Sequence, residues 1–184
     1  MLPTATNRGR VRDNNEPPSK EAQKKGLTMQ VTYQKHLDES IQLELNLATL
    51  YTIFNDSFAE DEDFWWEMAM EERAHATLLQ QEKKHPQQRE FFPENLLATD
   101  LQSLIDTNTR ITQLISNYKE HAPSRGDALQ TAHDLEMAAG ESHFQHFLDS
   151  PTNSPAANIF KQLNQEDCDH AARILQYMQK NLLA

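Results

Sequence analysis

Two stretches of the chain place ionisable side chains in the middle of an apolar helical stripe, and that placement restricts the fold more than any other feature. In "DFWWEMAMEERAHATLL" (63–79), a helical spiral passes through Phe64, Met68, Glu72, His75 and Leu79. In "LNQEDCDHAARILQYM" (163–178), the same intervals give Leu163, Asp167, His170, Ile174 and Met178, with Ile159 one turn earlier. Each stripe carries an acid and a histidine three residues apart, so both side chains project from one face, one turn apart. Burying a carboxylate without a partner is costly, and crowding several together costs more. Any fold that buries these stripes has to compensate that charge.

The compensation is prefigured by an internal repeat. "LELNLATLY" carries Glu44 and, seven residues on, Tyr51; "LEMAAGESH" carries Glu136 and, seven residues on, His143. Glu44 lies 28 residues before Glu72, and Glu136 lies 31 before Asp167. Each half of the chain therefore reads acid, then acid-x-x-His, at nearly matched separations. Glu44, Glu72, Glu136 and Asp167 would converge with His75 and His170 in an apolar interior, where two divalent cations would balance four negative ligands. Carboxylate and imidazole together suit iron or manganese. Glu71 and Glu166, one position earlier, form E-x-x-x-H pairs and are rival ligands, although the apolar register favours Glu72 and Asp167. Tyr51 and His143, two turns beyond the single acids on the same face, are candidates to orient carboxylates; a tyrosine that simply fills core is the competing reading for Tyr51. The other histidines (His36, His85, His121, His133, His146) read as surface or packing residues. Phe64-Trp65-Trp66 reads as hairpin packing, and Cys168 as a small buried side chain.

Periodicity predicts an all-α fold. A polar segment, 1–28, with three Pro, two Gly and mixed charge, reads as a disordered tail. Met29 opens the periodic region, and 29–184 forms one helical domain. A first helix is expected from Val31 to Phe58. A second starts in the acidic cluster 60–63, at the positive end of its dipole, and stops before Pro86. A third begins at Gly126-Asp127 and ends before Pro151. A fourth begins at "NSPAAN", with Ser154 as cap and Pro155 in the first turn, and runs to Asn181. The short links make helices 1–2 and 3–4 hairpins. The long middle connection, 86–125, holds an extra helix and allows one hairpin to dock on the other as a four-helix bundle with one crossover.

Bulk properties narrow the partners. The composition, rich in Leu, Ala, Gln and Glu with four Gly, favours helix over sheet. A formal net charge of −11 argues against a nucleic-acid footprint. One cysteine permits neither an internal disulfide nor a thiolate metal cage, and points to a cytoplasmic setting. No apolar run approaches the roughly 20 residues of a membrane span, and 1–26 holds no hydrophobic signal core.

On "ELNLATLY" (44–51), "FWWEMAMEERAHATLL" (64–79) and "DHAARIL" (169–175), the chain resembles the ferritin-like di-iron carboxylate proteins and, among them, the rubrerythrin family. The resemblance extends over about residues 31–182. It implies a ferritin-like four-helix bundle with two iron ions, or manganese in one or both positions. Glu44 and Glu136 would be terminal ligands, Glu72 and Asp167 bridging ligands, and His75 and His170 the nitrogen ligands. It implies an oxidoreductase that reduces hydrogen peroxide or dioxygen as Fe(II) is oxidised, supplied by a separate electron-donor protein. A homodimer is expected. Three departures stand out. The chain has no C-x-x-C rubredoxin module, Ala139 occupies the place of a further Glu in helix 3, and Asp167 replaces a Glu. A di-iron oxygenase acting on an organic substrate, an iron-storage or ferroxidase subunit, and a metal-free interaction module are the competing readings.

Overall fold

The computed structural model describes residues 20–84, 94–143 and 155–182; the side chains of His143, Asp167 and Cys168 lie outside the described set, as do His85 and His146. The described residues form five helices: α1 (Lys20–Ser57), α2 (Glu62–Lys84), α3 (Glu94–Glu120), α4 (Arg125–His143) and α5 (Pro155–Leu182), with a 3-10 turn at Ala59–Asp61. Among the described residues there is no strand, and no helix is long and apolar enough to cross a membrane.

Helix α1 begins at Lys20, so its first turns cover 20–28, which composition assigns to the tail. Lys, Glu, Ala and Gln between 20 and 25 are strong helix formers, and their summed propensity outweighs the cost of Gly26. At its other end, Phe58 leaves helical geometry (φ −129°, ψ 87°), and the Asp61 N–H bonds back to the Phe58 carbonyl at 3.0 Å. The chain thus reverses within a few residues. Helix α2 has Glu62 and Asp63 in its first turn and Lys83 and Lys84 in its last, each complementing the helix dipole. Helix α4 has a reciprocal cap: the Asp127 N–H donates to Ser124 Oγ (3.1 Å), and Ser124 Oγ donates to Asp127 Oδ2 (2.7 Å).

Contacts between side chains fix the helix directions. Lys83 pairs with Asp38, Arg73 Nη2 reaches Thr52 Oγ1 and Asn55 reaches the Glu62 carbonyl, so α1 and α2 are antiparallel. Helices α4 and α5 are likewise antiparallel, with Arg125 beside Asn181 at one end and Glu136 beside His170 farther along. Helix α3 lies along α1 and in the same direction. Asn108 meets Asn46 and Glu39, and Tyr118 packs on Phe54. The core draws on all five helices: Leu47, Leu50 and Phe54 of α1, Trp65 and Met68 of α2, Leu104 and Ile111 of α3, Leu129 and Leu135 of α4, and Ile174 of α5. Trp65 is fully buried whereas Trp66 is exposed, so only the first of the two tryptophans packs inside the hairpin.

One end of the molecule is tied by Asp61. Its carboxylate is buried and accepts from Arg125 Nε (2.7 Å), Arg125 Nη2 (2.6 Å) and the Tyr177 hydroxyl (2.6 Å). The turn after α1, the start of α4 and the end of α5 are joined in this way. Asp61→Ala is expected to lower unfolding stability by about 2–3 kcal/mol, because Arg125 and Tyr177 then lose a charge-assisted partner. Urea unfolding measures it, and a change under about 0.5 kcal/mol, the range of ordinary surface substitutions, would mean the clamp is decorative.

Candidate metal centre

Five ionisable side chains meet in the interior: Glu44 of α1, Glu72 and His75 of α2, Glu136 of α4 and His170 of α5, each nearly or wholly buried. They arrive there because each sits at a core-facing register position of its helix. Glu44 is flanked by Leu37 and Tyr51, Glu72 by Met68 and Leu79, Glu136 by Leu129 and Leu135, and His170 by Ile174.

Glu72 stands at the middle. Its Oε2 lies 3.0 Å from His75 Nδ1, and its Oε1 lies 2.9 Å from His170 Nδ1. Each imidazole also faces the acid of its own hairpin partner. His75 Nδ1 is 3.7 Å from Glu44 Oε2, and His170 Nδ1 is 3.7 Å from Glu136 Oε2. The two rings are stacked, 5.5 Å apart and 15° from parallel. The Tyr51 hydroxyl donates to Glu136 Oε1, fixing that carboxylate from the far side. The arrangement is close to two-fold symmetric, with Glu72 on the axis.

Two groups of potential ligand atoms result, Glu44–Glu72–His75 and Glu72–Glu136–His170, each with its atoms within 4.8 Å of one another. Glu44 Oε2, Glu72 Oε1, Glu136 Oε2 and His170 Nδ1 are buried without an aligned hydrogen-bond partner; the 2.9 Å approach of His170 Nδ1 to Glu72 Oε1 lacks hydrogen-bond geometry. Buried polar atoms are nearly always satisfied. Four such atoms, shared between the two groups, fit the coordination of cations. Among the described residues the donor set, carboxylate oxygen and imidazole nitrogen, suits a metal cation.

The other ring nitrogens point to the second pair of acids. His75 Nε2 is 2.8 Å from Glu166 Oε2 of α5, and His170 Nε2 is 2.9 Å from Glu71 Oε2 of α2. Each histidine thus presents Nδ1 to the interior and pairs through Nε2 with a carboxylate of the opposite hairpin. That outer contact orients the ring. Glu71 and Glu166, the rival ligands of the sequence, accordingly stand behind the imidazoles instead of between them. Asp167, expected as a bridging ligand, and His143, expected to orient a carboxylate, have side chains outside the described set. Outside this centre lies a cleft of about 540 Å³ between α2 and α5, with both histidines at its base and Ala74, Leu78, Gln162 and Asp169 on its walls.

Protonation compensates charge among these side chains. Burial pushes Glu44 up, to about 8, against the pull of His75. Burial likewise raises Glu136. Burial opposes ionisation of Glu72 too, but His170 and His75 outweigh it and hold Glu72 at about 2. Burial disfavours the charged imidazoles, yet Glu44 and Glu72 lift His75 to about 11, and Glu136 and Glu72 do the same for His170.

Comparison with protein-family models, with curated proteins and with solved structures finds no match, so the reading of this centre rests on its residues and their geometry.

The proton-balanced centre has a pH signature. Histidines raised from 6.5 to about 11 hold their protons more tightly when folded, so their stabilisation is complete below pH 6.5 and is lost as pH climbs toward 11. Glu44, raised from 4.5 to about 8, adds a loss between those values. The chelator-treated protein is therefore expected to lose about 2 kcal/mol or more between pH 6.5 and 9 in urea unfolding. A flat profile over that interval would contradict a centre in which both imidazoles are protonated.

Proposed function

We propose that the chain is a ferritin-like four-helix bundle of rubrerythrin type, a di-iron or iron–manganese carboxylate oxidoreductase that reduces hydrogen peroxide or dioxygen as Fe(II) is oxidised. The observation that carries this reading is Glu72, whose two oxygens each approach the Nδ1 atom of a different histidine, at 3.0 and 2.9 Å, from the centre of the protein. A carboxylate so placed suits a bridge between two cations. Glu44 and His75 would complete one position, and Glu136 and His170 the other.

When bound, the metal pair supplies redox equivalents and Lewis acidity. The protein residues supply the rest. Tyr51 holds Glu136 in one rotamer through its hydroxyl. Glu71 and Glu166 hold the imidazoles with Nδ1 inward. Leu47, Leu50, Met68 and Leu135 are buried in the same core and would help to keep bulk water from the ligands. His75 and His170 must give up their protons to become ligands, so binding releases protons and tightens with rising pH. The cleft between α2 and α5 offers a small oxidant an approach to the base of the site. Electrons would come from a separate donor protein.

Metal analysis of protein purified without added metal is expected to find two iron or manganese ions per chain, and fewer than about a tenth of an equivalent would overturn the proposal. His75→Ala together with His170→Ala abolishes binding, whereas His121→Ala, on the exposed surface, leaves it intact. Loading with Fe(II) under anaerobic conditions, followed by peroxide or dioxygen, then distinguishes the oxidants by rate.

A further inference from the structure

The near two-fold symmetry of the centre fails in the α2–α5 cleft. Three residues after each histidine, Leu78 follows His75 whereas Arg173 follows His170. Both side chains line the α2–α5 cleft. Arg173 Nη1 donates to Glu71 Oε1 at 3.1 Å and its Nη2 donates to Glu71 Oε2, a two-point contact, with Met68 Sδ 2.7 Å from the same nitrogen. The carboxylate behind His170 is therefore neutralised by a guanidinium, a group that stays charged at any working pH.

The carboxylate behind His75 has no such neighbour. Glu166 Oε1 accepts from the neutral amide of Gln162 at 2.9 Å, and among the described residues no lysine or arginine is paired with it. Leu78 stands where the symmetry would put a guanidinium. The outer pair is thus neutral beside His170 and anionic beside His75. A dication responds to that difference, because Coulomb forces between partly buried charges persist over several ångströms even at an effective dielectric constant of about 20. Glu166 itself lines the cleft, with its side chain 36 % exposed.

We infer that the two cation positions are unequal, and that the one formed by Glu44, Glu72 and His75, backed by Glu166, is filled first and from the cleft. This rests on the di-metal reading above and adds an order to it. Arg173 lowers the affinity of the second position by holding a positive charge one carboxylate away from His170. Glu166 is a positioning residue that acts through the His75 ring.

Titration of the metal-free protein with cobalt(II), followed by visible absorption against a competing chelator, tests the order. Two steps are expected, separated by at least about tenfold, the scale on which a carboxylate behind a histidine ligand acts. His75→Ala removes the tighter step and His170→Ala the weaker. Glu166→Gln weakens the tighter step by about 10–100-fold and leaves the weaker one in place. Arg173→Gln tightens the weaker step, whereas Arg173→Lys, which keeps the charge, leaves the two steps apart. Two equal steps, loss of the tighter step in His170→Ala, or no response of the weaker step to Arg173→Gln would overturn the order while leaving two bound cations. Failure of the wild-type chain to bind cobalt at all would overturn both the order and the di-metal reading.

Discussion

Glu72 is the constraint on which the rest of the structure depends. A carboxylate with no exposure to water has to be matched by positive charge, and among the described residues the neighbours that match it are His75, on its own helix, and His170, from the other hairpin. The demand is therefore satisfied across the interface between hairpins. Once α5 is drawn against α2 by that contact, Glu136 is carried in beside His170, and Tyr51 of α1 is brought to Glu136. Burial of this much polarity would ordinarily weaken a core, since a partly satisfied polar network is worse than an apolar one. The surrounding shell of Leu, Phe, Trp and Met is correspondingly dense, and it is that shell which contributes the stability.

The same geometry assigns distinct tasks to residues that look interchangeable along the chain. Glu71 and Glu72 are adjacent, yet a 100° step around the helix separates a carboxylate at the interior from one at the cleft. Each reaches His170, one through Nδ1 and the other through Nε2. An imidazole with a carboxylate beside each nitrogen is held in one ring orientation.

Much of this was legible in the sequence, for reasons that can be named. Apolar spacing located α2 and the inward register of Glu72 and His75, because a 3.6-residue period leaves only one face for both. The repeat pointed to Glu44 and Glu136 because each half spells acid, then acid-x-x-His, at nearly matched separations. What the sequence hid was the role of Glu71 and Glu166. They sit off the apolar stripe, and their partners lie about a hundred residues away, across a contact that no local period encodes. The start of α1 was also hidden, since 20–28 is helical through propensity without an apolar stripe to mark it. The Ser124-Arg125-Gly126-Asp127 cap is a local signal that marks the start of α4 one residue ahead of the Gly126-Asp127 boundary.

The Asp61 clamp has a mechanical corollary. Helices fastened together at one pole can part only as the arms of a hinge do, with displacement growing in proportion to distance from the pin. Along α2 the pin lies at residue 61, Glu71 comes next and His75 is one turn farther out, by about 6 Å. Along α5 the sequence runs backward from Tyr177 through Arg173 and His170 to Glu166. The Glu166–His75 pair therefore sits at the longer lever arm, and any breathing of the two hairpins widens that pair before it disturbs the inner one.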